Sequence, residues 1–407
     1  MNCLKNYFSK LQEVLKKQST LHFVLLVVSV FYLSHYNVWA VKWMGILFFS
    51  TFIFQSLILK RKCYPLFLFR VVIVIFLGFQ FVDLVYERNL KARGLLEERG
   101  GVFMNEPHEI LGTRLKPNLR NSWFFLKIKR DTIQSWTSSD CLSRRIPDDA
   151  FMEEYLMNQS HSDSHAVFLG CSFTFGEGLM YSSTFPHLFE KLNPDYKSYN
   201  YGVQGFGPHQ IALLFDDRVN TINEEAIPEE KGFALYTYID DHLNRVFGGS
   251  DYFNWGWYTY LPPNVYIEND SLVIKRWPKI QLLGSKILNH VALFKKLGVR
   301  FTYPKRESFY RRFASIINYT AKKYWELKPD NHFYIGIYPS FLDTTDLNWV
   351  QYLDERIVVL KVDLPPDHYS NRLKYKLLDG HPSEALNLYY AEELTRLIRE
   401  YESQTRN

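Results

Sequence analysis

The chain has 407 residues, enough for two domains, with a formal net charge of +5 and four cysteines. So small a positive excess gives no ground for nucleic-acid binding, and so few cysteines exclude a scaffold built from disulfides. The apolar residues are unevenly distributed, and that asymmetry sets the class of the chain.

In chain order, three long apolar runs come first: Leu21 to Leu33, Ala40 to Leu59 and Pro65 to Val85. About 20 residues of helix cross a bilayer core, so 1–86 is expected to be a membrane region with about three transmembrane helices. The first run is short, and its alternative reading is an interfacial or re-entrant segment. Two further runs follow it with no small-residue cleavage site, which disfavours a cleaved signal peptide. Lys5, Lys10, Lys16 and Lys17 precede the first run, and Lys60, Arg61 and Lys62 separate the second from the third. The positive-inside rule puts both basic segments in the cytoplasm. The expected protein is therefore multi-pass, in the inner membrane if bacterial, with everything after about residue 87 on the periplasmic or extracellular side. Arg70 is expected to snorkel to the interface.

Residues 87–164 read as a connecting segment of mixed charge with a few β-like pieces around Trp123 to Trp136. Within it, His161 to His165 (HSDSH) resembles a ligand cluster but sits in a polar loop without a second ligand group, so no metal is expected. Cys141 and Cys171 both fall on the outer side, where a disulfide is chemically allowed; the alternative for Cys171 is a small buried hydrophobe.

From 165 to 407 the pattern alternates. Strands are expected at Ala166 to Leu169, Ser198 to Val203, Phe233 to Ile239, Phe333 to Tyr338 and Ile357 to Val362. Helices are expected at Thr184 to Leu192, Pro208 to Val219, Glu307 to Leu327 and Ser383 to Glu402. This is the pattern of an α/β fold with a doubly wound parallel sheet, three-layer and flavodoxin-like. An insertion near 247–299 interrupts it with an aromatic cluster, DYFNWGWYTYLPP, and a hairpin-like NVYIENDSLVIKRW. Such an insertion is either a lid or substrate wall, or a set of loops whose aromatics cover the domain's own core.

Three segments carry chemistry. In AVFLGCSFTFGEG (Ala166 to Gly178) an apolar strand breaks at Gly170 and presents Ser172 in a strand-to-helix turn, which suits a nucleophile and also suits an N-cap. In YNYGVQGFGP (Tyr199 to Pro208) closely spaced glycines let backbone N–H groups approach a ligand. In LDGHPS (Leu378 to Ser383) an acid and a histidine share one turn before a helix.

Taken in this order, the three segments resemble the SGNH (GDSL-type) hydrolase superfamily over about Ala166 to the C-terminus, and membrane-anchored members carry a similar segment ahead of the hydrolase domain. The resemblance implies that Ser172 attacks, that His381 serves as base and then acid, and that Asp379 orients the imidazole. Only Gly380 separates the acid from the histidine where many members have two residues, so Asp363 and Asp367 stand as rival partners. The backbone N–H groups of Ser172 and Gly205 are the implied oxyanion donors. Where members commonly carry an asparagine after the third strand, this chain reads YTYIDDHLNR, with Asp240 at that position and Asp241 and His242 beside it. Asp240 and Asp241 are thereby candidates for the oxyanion or substrate-binding site; an ionised carboxylate repels an oxyanion, so Asp240 must be protonated, turned away or used differently, for instance in capping the next element.

The function these readings imply is a membrane-anchored serine esterase or acylhydrolase that removes an O-acyl group from an extracytoplasmic carbohydrate or lipid, without a cofactor. Two alternatives are carried: an O-acyltransferase that modifies an envelope polysaccharide, with a possible acyl-donor membrane partner, and a catalytically inert envelope-binding or assembly protein of the same fold.

Overall fold

The computed structural model divides into two units, Met1–Val82 and Asp83–Asn407. It describes residues 98–101, 104–128, 131–149, 152–159, 162–254, 260–290, 299–339 and 345–405, all in the second unit. The three apolar runs of the expected membrane region lie outside the described residues. Among the described residues no helix is long and apolar enough to cross a membrane.

The elements follow in order. Strands β1 (Glu98–Gly101), β2 (Asn105–His108), β3 (Gly112–Leu115), β4 (Ser122–Ile128), β5 (Asp131–Ser139) and β6 (Arg145–Ile146) precede helix α1 (Met152–Gln159). Next come β7 (Ser164–Gly170), the single-turn α2 (Ser172–Phe175), α3 (Phe185–Leu192), β8 (Tyr196–Gly202), α4 (Pro208–Leu214), β9 (Lys231–Tyr238) and α5 (Asp241–Phe247). The hairpin β10 (Asn264–Glu268) and β11 (Ser271–Lys275) leads to α6 (Lys279–His290) and α7 (Glu307–Leu327). The chain closes with β12 (His332–Ile337), β13 (Ile357–Lys361), α8 (Arg372–Tyr375) and α9 (Glu384–Thr405).

A nine-stranded sheet runs β1-β4-β5-β6-β8-β7-β9-β12-β13. Its last five strands are parallel throughout. Numbered among themselves they run 2-1-3-4-5, the flavodoxin-like doubly wound order expected from the alternating pattern. Strands β7, β9, β12 and β13 are covered on both faces, which is why they read as largely apolar runs rather than alternating ones. Along β7, Val167 and Leu169 enter one core with α4 and α7, while Ala166 and Phe168 enter the other with α3 and α9. All four are fully buried. Burial of a side chain the size of Phe168 contributes roughly 1.5–3 kcal/mol.

Two expectations change, and one open option is closed. The sheet is mixed rather than wholly parallel: β1, β4, β5 and β6 extend it through antiparallel pairings, and β6 meets β8 at the pair Arg145↔Asn200. The β-like pieces around Trp123 to Trp136 are therefore strands of the main sheet. Helix α4 stops at Leu214 rather than Val219, because the Leu214 carbonyl accepts bonds from the N–H groups of Thr221 and Ile222 and the Asp216–Asn220 stretch folds into its own turn. Cys141 and Cys171 are free, one exposed and one buried in the core, so the permitted disulfide does not form.

The insertion contains the expected hairpin, turned by Asn269 and Asp270 with φ of 50° and 59°. Two successive left-handed residues suit a two-residue hairpin turn. Tyr252 and Trp277 in this region are buried, Trp277 donating to the Pro262 carbonyl at 2.7 Å. His165 lies in the core, its ring nitrogens 2.9 Å from the Glu229 carbonyl and 2.7 Å from the Tyr324 hydroxyl. Burial pushes that histidine down to about 4, and it is a neutral structural side chain at physiological pH.

Glu190 on α3 accepts the Ser198 N–H of β8 at 2.9 Å from a buried position. Burial raises its carboxyl to about 7, against the pull of that bond. The folded state thus keeps a proton that the unfolded chain has released, so stability falls as pH rises from about 4.5 to about 7. Glu190→Gln is expected to flatten that slope and to raise stability at pH 8 by about 1–3 kcal/mol. Unfolding measured at pH 5 and pH 8 checks this; identical slopes in the two proteins would contradict it.

Candidate active site

The switch in strand order falls at β7, where the chain crosses first to β8 and then to β9 on the opposite side. Open α/β sheets bind ligands beyond the carboxyl ends of such strands. Here Gly170 ends β7, Cys171 caps α2, and Ser172 opens that helix. The turn closes on itself: Phe175 N–H reaches the Cys171 carbonyl, and the N–H groups of Gly176 and Glu177 both reach the Ser172 carbonyl, at 2.9 and 3.0 Å. Gly176 takes a left-handed φ of 81° to end the helix. Gly202 of β8 passes so close that a Cβ there would lie 2.3 Å from the Phe175 nitrogen, so only glycine fits.

A helix of one turn leaves its carbonyls without internal partners. They are satisfied from the neighbouring strands. Asn200 on β8 donates from Nδ2 to the Thr174 carbonyl at 3.1 Å. Arg145 on β6 donates to the Phe175 carbonyl, to Gly176 at 2.7 Å and to Leu179 at 2.6 Å, with its guanidinium 4.5 Å over the Phe175 ring. Burial pushes Arg145 down to about 10, so it remains charged at neutral pH.

His381 arrives from the loop between α8 and α9. That loop is closed by Leu377 N–H to the His381 carbonyl at 2.8 Å and Gly380 N–H to the Leu377 carbonyl at 3.0 Å. Gly380 adopts a φ of 91°. With the chain turned this way, Asp379 accepts the His381 backbone N–H on Oδ1 at 3.1 Å and sits 2.8 Å from Nδ1 with Oδ2. One intervening residue is therefore enough. The other ring nitrogen, Nε2, is 2.9 Å from Ser172 Oγ. A carboxylate only accepts, so the proton belongs on Nδ1, leaving Nε2 to accept from the serine hydroxyl. The rival acids are occupied elsewhere, Asp363 with Lys361 at 3.2 Å and Asp367 with Tyr375 and Asn371.

Gly205 is the third residue of the turn from Val203 to Phe206, with φ of 78°. That turn leads into α4, whose Gln210 accepts Gly207 N–H at 3.0 Å and is held in turn by the Tyr252 hydroxyl at 2.8 Å. Asp240 turns its Oδ1 to the Asp346 N–H at 3.1 Å and the Tyr238 hydroxyl at 3.4 Å. Burial raises its carboxyl. Asp241 pairs with Arg245 at 2.8 Å, and Arg245 anchors the Phe206 carbonyl at 2.6 Å. His242 is fully buried with Nδ1 2.6 Å from the Tyr236 hydroxyl, and burial keeps its pKa well below the ordinary value. The DDH stretch thus bonds to neighbouring segments, supporting the carboxyl edge of the sheet.

Sequence reasoning missed three groups: Arg145, Asn200 and Glu177, whose Oε2 lies 3.5 Å from His381 Nε2. Two of these fall inside the quoted motifs, but nothing in the sequence tied Arg145 to Ser172. Glu177, Asp379 and His381 also place ligand atoms within 4.8 Å of one another, close enough for an ion. Both ring nitrogens already face protein partners, however, so the donor set fits hydrogen bonding better than metal ligation.

No protein-family model matches the sequence, and no curated protein matches it significantly. Solved structures do. The chain is similar to a family two carbohydrate esterase from Clostridium thermocellum, solved in complex with cellohexaose, at 10% identity over 59% of this chain and 65% of that one, with a TM-score of 0.36. It thus spans just under two thirds of that esterase. An acetyl xylan esterase from Butyrivibrio proteoclasticus is similar at 12% identity over 73% and 72% of the two chains, with a TM-score of 0.33. A lipolytic protein of the G-D-S-L family from Veillonella parvula is similar at 12% identity over 57% and 97%, with a TM-score of 0.31.

Replacing Arg145 by Met strips donors from three carbonyls around Ser172. Misplacement of a reacting group by about 1 Å costs roughly 100-fold. Arg145→Met is therefore expected to lower kcat/KM on 4-nitrophenyl acetate about 100-fold and to depress the melting temperature. Arg145→Lys should not restore it, since one ammonium cannot span the fork. Unchanged kinetics in Arg145→Met would contradict this role.

Proposed function

We propose that the chain is a serine acyl-ester hydrolase of the SGNH type, anchored in a membrane by its N-terminal region and working outside the cytoplasm on an O-acyl group of a carbohydrate or lipid. The observation that carries the reading is the continuous relay from Asp379 through both nitrogens of His381 to Ser172 Oγ. Ser172 Oγ attacks the acyl carbon as its proton passes to Nε2, and His381 returns that proton to the departing alcohol. The resulting acyl-enzyme is released by water, activated at the same nitrogen.

The Ser172 N–H at the first position of α2 and the Gly205 N–H in its glycine turn are the donors proposed for the oxyanion, each typically worth a few kcal/mol when preorganised. No cofactor is needed for this chemistry. The intact relay speaks against an inert binding protein. A carbohydrate ester is the favoured substrate class because esterases of carbohydrates are among the structures to which the chain is similar. The apolar runs and their flanking lysines support the anchored, outward-facing placement.

The test is acetate release from acetylated oligosaccharides and from 4-nitrophenyl acetate, with and without a sugar acceptor. Wild type should release acetate. Ser172→Ala should lose on the order of 10⁴-fold or more, and Asp379→Asn roughly 10²–10⁴-fold through the wrong imidazole tautomer. Acetate release that survives in Ser172→Ala would overturn the assignment, whereas acyl transfer to the sugar exceeding hydrolysis would convert it to a transferase.

A further inference from the structure

Glu177 has no part in the relay, yet its place is tightly specified. Its backbone N–H is bound to the carbonyl of Ser172 itself, so the residue is fixed relative to the nucleophile. It is bracketed by Gly176 and Gly178, with φ of 81° and 80°, and this pair of left-handed residues turns the side chain inward. The carboxylate is only 8% exposed, and its Oε2 sits 3.5 Å from the nitrogen that bonds Ser172 Oγ. The imidazole of His381 is therefore flanked by two carboxylates, Asp379 on Nδ1 and Glu177 on the serine side.

An opposite charge within 4–6 Å favours the charged form of a titrating group. During attack the serine proton passes to Nε2, and the positive ring then lies beside the Glu177 oxygen. We propose that Glu177 is a positioning residue for ester cleavage, one that stabilises the His381 imidazolium from the serine side and thereby sets the pH at which the site becomes active. The inference rests on the relay reading above.

The groups facing the pair come from several elements. Asp379 shares the turn of His381, Ser172 comes from α2, and the Phe173 ring packs on the imidazole at 5.7 Å. Arg145 from β6 attracts Glu177 and is itself drawn toward Asp148, while Tyr181 beside it is neutral, its pKa raised well above the usual value by burial. Once the ring is protonated, the Glu177 carboxylate faces the imidazolium at 3.5 Å while Arg145 also attracts it. The same charge repels an anionic acyl group or leaving group at Ser172, which matches a neutral ester as substrate.

The test uses the full-length chain labelled with ¹⁵N-histidine, the His381 ring signal being identified by its loss in His381→Ala. In Glu177→Gln the ring titration is expected to move down by about one pH unit or more, and the acid limb of kcat/KM for 4-nitrophenyl acetate to move with it. Glu177→Asp keeps the charge and should fall between Gln and wild type; it also serves as the reading if the Gln variant does not fold. A His381 titration and acid limb unmoved in both variants would overturn the proposal. Should wild type hydrolyse no ester while the ring titration still shifts, the electrostatic role of Glu177 stands and the esterase reading fails.

Discussion

The site depends on a buried clamp at the seam of the sheet. Arg145 and Asn200 are paired in register where the antiparallel half meets the parallel half, and both side chains rise to the carbonyls of the single turn that carries Ser172. A helix this short has almost no stability of its own, since its nucleus fixes several residues for very few bonds. The charged fork of Arg145 and the amide of Asn200 supply the partners that a longer helix would find within itself. A buried cation is expensive, and here its cost is offset by carbonyls on four residues and an aromatic face. This arrangement makes the strands before residue 150 part of the machinery rather than a tether.

Around that clamp the electrostatics converge on one ring. Asp379 fixes the tautomer of His381, Glu177 faces it from the other side, and Arg145 attracts Glu177. At rest the ring is neutral between its two carboxylates, and a proton taken from the serine hydroxyl makes it the cation that both of them face. On the far wall, Arg245, Gln210 and Tyr252 hold the glycine turn that presents Gly205. The aromatic insertion contributes Tyr252 to this scaffold, which gives at least that aromatic a structural role.

Much of the fold was legible because most of the parallel strands are buried on both faces and read as largely apolar runs, with β7 and β8 ending in glycine. The alternation of strands and helices follows from such local signals, and the grouping of Ser172, Asp379 and His381 is expected from the resemblance of their three motifs to a known family. Two kinds of feature did not. The antiparallel strands β4 and β5 carry exposed Trp123 and Trp136 among polar residues, so their membership in the main sheet depends on long-range pairing. Arg145 likewise reads as one more surface charge in a mixed-charge stretch; in the fold it is buried, bonding carbonyls of the α2 turn, of Leu179 and of β5. Asp240 and Asp241 illustrate the opposite difficulty. Their motif position makes them candidates for contact with substrate, and nothing local in the sequence showed that their oxygens also bond Asp346, Tyr238 and Arg245, contacts made across the fold or along α5.

The central claim is that Ser172 is an activated nucleophile. Its most direct test is covalent capture: the purified chain is treated with a fluorophosphonate at neutral pH and the modified residue located by peptide mass spectrometry. The account predicts a single adduct on Ser172 that forms far more slowly in His381→Ala. A folded wild-type chain that stays unmodified, or one modified at a different residue, would contradict it.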